Sequence, residues 1–253
     1  MASFFIYDSI NMYRADNTDA EGTSNGTAFS SGSAITNHER ASDQNIGTVM
    51  TNIAQNDALQ YAVGSTATAD VAAVYFTGDD GVSSGTIINF HISSSNTLGS
   101  SKGNISAISS SGWAVADLTE TSGTRFHTVF NGTVANVSEV LIGKKLSFEV
   151  EPDVNVQTSR DYGTQVQRSL GGVEYSINVH DAQEIFTISF QNISSTFKQN
   201  LTTMQDAIKG QGKKFLYYDG SNYHWVRLEQ TMTFTEIADS RFSTQIKMRQ
   251  QIQ

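Results

Sequence analysis

Residues 184–190, Glu-Ile-Phe-Thr-Ile-Ser-Phe, and 193–208, Ile-Ser-Ser-Thr-Phe-Lys-Gln-Asn-Leu-Thr-Thr-Met-Gln-Asp-Ala-Ile, decide the fold of the chain's second half. In the first run Ile185, Phe186, Ile188 and Phe190 supply an apolar strand. In the second, Ile193, Phe197, Leu201, Met204 and Ile208 recur at helical spacing, which lays one apolar stripe over a sheet. Ser194, Ser195 and Thr196 offer N-cap oxygens to the orphan amides of the first turn, and Gly210 and Gly212 offer the stop.

Working outward, Val173, Tyr175, Ile177 and Val179 alternate, and the short His180–Gln183 link predicts a hairpin between this run and Glu184–Phe190. Downstream, Lys213–Tyr218 and Tyr223–Leu228 flank Asp219-Gly-Ser-Asn222, a strong hairpin turn. Two further strands follow at Thr231–Ile237 and Phe242–Met248. In the last, Phe242, Thr244, Ile246 and Met248 alternate with Ser243, Gln245, Lys247 and Arg249. The expected second domain, residues 153–253, is therefore an antiparallel sheet with one packed helix, begun after the chain's single proline, Pro152.

Residues 1–152 read as a β-sandwich of jelly-roll type. Leu59, Tyr61 and Val63 alternate, and the run Val71–Phe76 is apolar on both faces, as in a central strand. Strands are also expected at Phe4–Tyr7, Thr86–Ile92, Trp113–Leu118 and in the apolar segments from Phe126 to Val150. Asp16–Ala34 and Ser93–Gly112 are loops by composition, and Gly78–Gly81 is a turn. The fold class expected for the whole chain is mainly β.

Composition narrows the function. The chain has 253 residues, a net charge of −9 and only 16% charged residues, so Ser, Thr, Asn, Gln and Gly carry its polarity. That balance argues against nucleic-acid binding, which needs a cationic face; Lys144-Lys145 and Lys213-Lys214 are too short to make one. There is no cysteine, hence no disulfide or thiolate chemistry. The start, Met1-Ala-Ser-Phe-Phe-Ile-Tyr-Asp8, lacks a basic region, and no segment approaches a membrane span, so synthesis in a cytoplasm is expected.

Candidate chemistry is sparse. His38, His91, His127, His180 and His224 show no metal-ligand spacing, and the expected metal and cofactor set is empty. No serine sits in a nucleophile elbow. Glu149 and Glu151 alternate at a strand end, and Asp79-Asp80-Gly81 lacks the repeated oxygens of a calcium loop. Gly171-Gly172 reads as a turn before Val173. The remaining site residues are aromatic: Trp113, Tyr217, Tyr218, Tyr223 and Trp225, either core and subunit-interface anchors or a stacking surface for a glycan. A non-enzymatic protein is expected.

The segment Gln167-Arg-Ser-Leu-Gly-Gly172, the strand pair, the helix Ser194–Ile208 and Lys214-Phe-Leu-Tyr-Tyr218 together resemble the C-terminal part of tail proteins from long-tailed bacteriophages. The first half, with Tyr7-Asp8, a polar loop, Asp70–Phe76 and Ile142-Gly143 before Leu146-Ser-Phe148, resembles a discoidin-like, galactose-binding jelly roll. The resemblance implies a virion structural protein of distal-tail or baseplate-adaptor type. Such a protein forms a homo-oligomeric ring, joins tail tube to adsorption apparatus and contacts other tail proteins. Here the jelly-roll-like half precedes the ring-forming half, the reverse of the usual order in that family. The alternatives are a host-glycan-binding module, with its loops at Asp16–Ala34 and Ser93–Trp113, and a capsid decoration protein.

Overall fold

The computed structural model describes residues 3–10, 15–25, 28–31, 35–77, 87–95, 97–106, 111–132, 134, 136–152 and 157–251; of 15–25 and 28–31 it describes the backbone alone. Among the described residues the chain is mainly β, with one packed α-helix at Ser195–Ala207. By backbone contacts it divides into two units: Asp8–Lys145, and Met1–Tyr7 together with Leu146–Ile252. The division therefore falls at Lys145/Leu146 rather than 152/153, and the first strand belongs with the later unit.

In the unit Asp8–Lys145, β1 being in the other unit, the strands are β2 (Ala15–Asn25), β3 (Ala28–Ser31), β4 (Asp57–Phe76), β5 (Ile87–Ser93), β6 (Ser101–Ser106), β7 (Gly112–Asn131) and β8 (Val137–Ser147). Their order is β6-β5-β7-β4, with β4 continuing to β2 along its first half and to β8 along its second. β4 is thus central throughout, which is why its second half is apolar on both faces: Val71, Ala72, Ala73 and Val74 are all fully buried. The core-facing set runs Leu59, Tyr61, Val63, Ala67, Ala69 and then Ala72, Val74, Phe76. The parity changes at Asp70, where the β4–β7 register is irregular. Burial raises the Asp70 carboxyl pKa, opposed by the Lys145 amide it accepts at 2.7 Å and by the Lys144 ammonium.

Two expected loops are corrected. Much of 16–34 is paired backbone, because β2 runs antiparallel to β4 from Ala15↔Val63 to Glu21↔Ala58 and then turns into β3. Ladder hydrogen bonds belong to the main chain, so a polar composition does not forbid them. Within 93–112, β6 pairs with β5 and buries Ile105. The expected Gly78–Gly81 turn and the Asp79–Gly81 cluster lie outside the described residues.

The other unit is built from β1 (Phe4–Tyr7), β9 (Gln157–Asp161), β10 (Gln165–Arg168), β11 (Glu174–Ile177), β12 (Gln183–Ser194), α1 (Ser195–Ala207), β13 (Phe215–Tyr218), β14 (Tyr223–Leu228), β15 (Thr233–Ala238) and β16 (Arg241–Gln250). Its sheet order is β1-β13-β14-β16-β12-β9, and β15 pairs the first half of β16. Helix α1 starts where expected: the Ser194 hydroxyl accepts from the Phe197 amide at 3.1 Å and itself donates to Glu149. The carboxylate favours the positive end of the helix dipole. The helix ends at Ala207 with Ile208 as its C-cap, and the chain then turns through left-handed Lys209 and Gly210, φ 53° and 61°. Phe197, Leu201, Met204 and Ile208 pack on Ile188, Phe190, Ile246 and Met248, each fully buried side chain contributing roughly 1.5–3 kcal/mol. Ser243 and Gln245, which alternate with the buried β16 residues, lie on the sheet's other face, as the sequence alternation requires.

Candidate functional site

The apolar alternation at 173–179 does not pair with β12. β11 pairs β10 instead, from Gln165↔Ile177 to Arg168↔Glu174, and the turn is Ser169–Gly172. There the Gly172 amide donates to the Ser169 carbonyl at 2.9 Å, the Val173 amide donates to the Ser169 hydroxyl at 3.1 Å, and Gly172 takes φ 80°. Alternation reports that one face of a strand is apolar; it does not say what covers that face. Here, among the described residues, nothing does.

Residues directly opposite in an antiparallel ladder share a face. One face of this ribbon therefore carries Gln165, Gln167, Tyr175 and Ile177, with Val173 and Val179 continuing it. Val173, Tyr175, Ile177 and Val179 are 54–64% exposed, and Leu170 at the tip is fully so. The opposite face carries Val166, Ser176 and the pair Arg168–Glu174, in which the guanidinium Nε donates at 3.0 Å. A two-stranded ribbon standing alone is marginally stable in water, and a row of large apolar side chains on it is an interaction surface.

The ribbon extends β9 and β12 as one arm. β9 pairs β12 up to Asp161↔Gln183; the next described pair is Gln165↔Ile177. Between them one strand advances four residues and the other six, so the arm bends there. Gly163 sits at the bend with φ 57°, and a Cβ on it would lie 2.6 Å from the His180 ring. Only glycine satisfies both conditions. Just below, Arg249 clamps the base: it grips Glu229 through Nε and Nη2 at 2.7 and 2.8 Å, and Asp161 and Gln183 through Nη1 at 2.6 and 3.0 Å. The guanidinium hydrogen bonds hold the Asp161 and Glu229 carboxyls below the usual carboxylate range, and those same bonds raise the Arg249 pKa.

The five aromatic candidates separate. Tyr217, Tyr218 and Trp225 are 1%, 7% and 3% exposed, so their rings belong to the core of their own unit. Tyr217 contacts Phe5, Phe148 and Phe186, and burial pushes its hydroxyl up to about 12. Tyr223 is half-buried against Tyr218 at 4.6 Å. Trp113 alone lies in the other unit, half-buried beside Tyr75 at 5.2 Å. The Glu149 and Glu151 carboxylates serve different partners: Ser194 at the helix cap and the Ser3 amide and hydroxyl. His91 and His127 face each other across β5 and β7. Burial, then the charges of His91 and Arg125, lowers His127 to about 3, so it is a neutral strand histidine.

One acid escaped the sequence reading. Glu139 on β8 is fully buried, and burial followed by the Asp43 charge pushes its carboxyl up to about 9. Neither oxygen has a partner of standard hydrogen-bond geometry. Beside it runs an Asx-turn segment: Asp43 accepts from the Asn45 amide at 2.9 Å and the Thr48 hydroxyl at 2.6 Å, and Asn45 accepts from the Gly47 amide at 3.0 Å. The burial keeps a proton on Glu139. Among the described residues no group of three or more acidic or histidine side chains gathers. A glutamate next to the apolar run Val140–Ile142, in a predicted strand segment, was the signal.

No family model matches this chain, and no curated protein does. Among solved structures, it is similar to a family 32 carbohydrate-binding module of AlyQ in complex with 4,5-unsaturated mannuronic acid, at 15% identity and TM-score 0.36 over 55% of this chain and 98% of that chain. It is also similar to the family 32 module of C. perfringens NanJ in complex with galactose, at 12% identity and TM-score 0.39 over 55% and 98%. A third is a Streptococcus pneumoniae fucose binding module, at 14% identity and TM-score 0.34 over 53% and 95%. At these values the likeness transfers neither a family nor a ligand.

Proposed function

We propose that this chain is a non-catalytic structural protein that self-assembles through the arm, as a component of a long-tailed bacteriophage tail tip. The observation that carries the reading is the uncovered apolar row Val173, Tyr175, Ile177, Val179 on a ribbon that no other strand among the described residues extends beyond its own pairing. The Arg168-Ser-Leu-Gly-Gly172 segment, on which the tail resemblance partly rests, is the tip of that arm. Sedimentation velocity of the full chain tests the reading. Discrete oligomers that dissociate in Y175S/I177S are expected; a monomer at concentrations on the order of 100 μM, where even a weak protein contact would populate, would count against it.

A second reading gives the unit Asp8–Lys145 a glycan ligand, as the neighbours named above have. The observation in this chain that favours it is the half-exposed Tyr75–Trp113 pair, since a ring face suits a sugar ring. Binding of the full chain to a glycan array, abolished in W113A, is the expected result; no binding to any glycan would remove the reading.

A further inference from the structure

The helix–sheet unit carries, besides the arm, a surface of the complementary kind. Among the described residues β15 pairs only with β16, so its outer edge presents backbone donors and acceptors with no ladder partner. Natural edges are usually blunted by lysine, proline or a bulge towards solvent. β15, Thr-Phe-Thr-Glu-Ile-Ala, has neither lysine nor proline; its register slips only between Glu236 and Ala238, around Ile237, which is 52% exposed, and this leaves Thr233–Thr235 as the regular part of the edge. Beside this edge, on the sheet face away from α1, Ser189, Gln191, Thr233, Thr235, Ser243 and Gln245 line a groove of about 280 Å³ without a single charge.

We propose that the arm of one copy docks on the β15 edge and this groove of a second copy, so that copies join head to tail. The proposal rests on the self-assembly reading above and names its contact. Three observations select a second copy as the occupant. The arm presents Leu170, Val173, Tyr175, Ile177 and Val179, each more than half exposed, the apolar kind of surface that the core of a specific interface buries. Charge permits the contact: each chain carries a net −9, so identical copies repel except through neutral surfaces. The arm is one such surface, its Arg168 neutralised by Glu174, and the groove is another. Lastly, arm and edge are both short β elements with unpaired edges, the geometry of strand addition. Because arm and groove are different patches of the chain, the contact is heterologous and closes into a ring or propagates as a filament.

The cysteine-free chain allows a direct test by thiol cross-linking of full-length I177C, I237C and their mixture. The mixture is expected to give a cross-linked dimer with a bismaleimide, I177C/I237C in one chain a ladder, and either single variant alone none. Cross-linking of I177C alone at the same yield as the mixture would place arm against arm and overturn the docking while leaving self-assembly standing. A monomeric unsubstituted chain by sedimentation overturns the assembly reading itself. If that monomer's arm is nonetheless protected from protease within particles, a different protein is its occupant.

Discussion

Glu139, Ser194 and Gly163 each make a residue-level claim. Glu139 titrates near 9 in the fold against an ordinary 4.5. The fold therefore binds an extra proton between those values, and its stability is fully present below about pH 4.5 and lost as pH rises through about 9. Thermal melts should fall by roughly 5 °C or more across that window, and E139Q should lose most of the part of that fall above about pH 7. A slope unchanged in E139Q would assign the titration elsewhere. Ser194 Oγ caps the Phe197 amide, so S194A should cost about 1 kcal/mol in chemical denaturation. Gly163 needs left-handed backbone and has no room for a methyl. G163A should weaken self-association at least tenfold, by displacing the arm, without lowering the melting temperature of the unit's core.

The element that matters most is the arm, and it differs from α1 in what covers it. Both are amphipathic, but Leu201 and Met204 of α1 are fully buried while Tyr175 and Ile177 of the arm are mostly exposed. Truncating the first should therefore unfold: L201A should cost roughly 2–5 kcal/mol. Truncating the second should not. Y175S/I177S should retain or slightly gain solubility and keep its denaturation midpoint, and lose only the oligomer. The helix and its strands were legible because their periodicity and caps agree: Ile188, Phe190, Ile246 and Met248 lie under the α1 stripe as the alternation implied. The pairing of Val173–Val179 was not legible. Ser169–Gly172 and His180–Gln183 are both plausible hairpin turns, and the choice between them fixes whether the strand lies in the sheet or outside it.

For the whole molecule, charge and geometry work against one another. A net −9 opposes any association of copies, and salt screens that repulsion, with a Debye length near 10 Å at about 0.1 M. Contacts that are themselves uncharged should then strengthen as salt rises; sedimentation at low and moderate ionic strength should show more oligomer at the higher. Weakening with salt would mean that charged groups make the contact instead. The sequence by itself determined the mainly β class, the helix on its sheet and the central position of β4, because periodicity, caps and composition act locally along the chain. Only the tertiary structure decided that Phe4–Tyr7 joins the later unit, that Tyr217, Tyr218 and Trp225 are core, that Glu139 is buried beside Asp43, and that the row from Val173 to Val179 stands uncovered. Each of those depends on which distant segment arrives to cover a face, and a face's own residues carry no record of its neighbour.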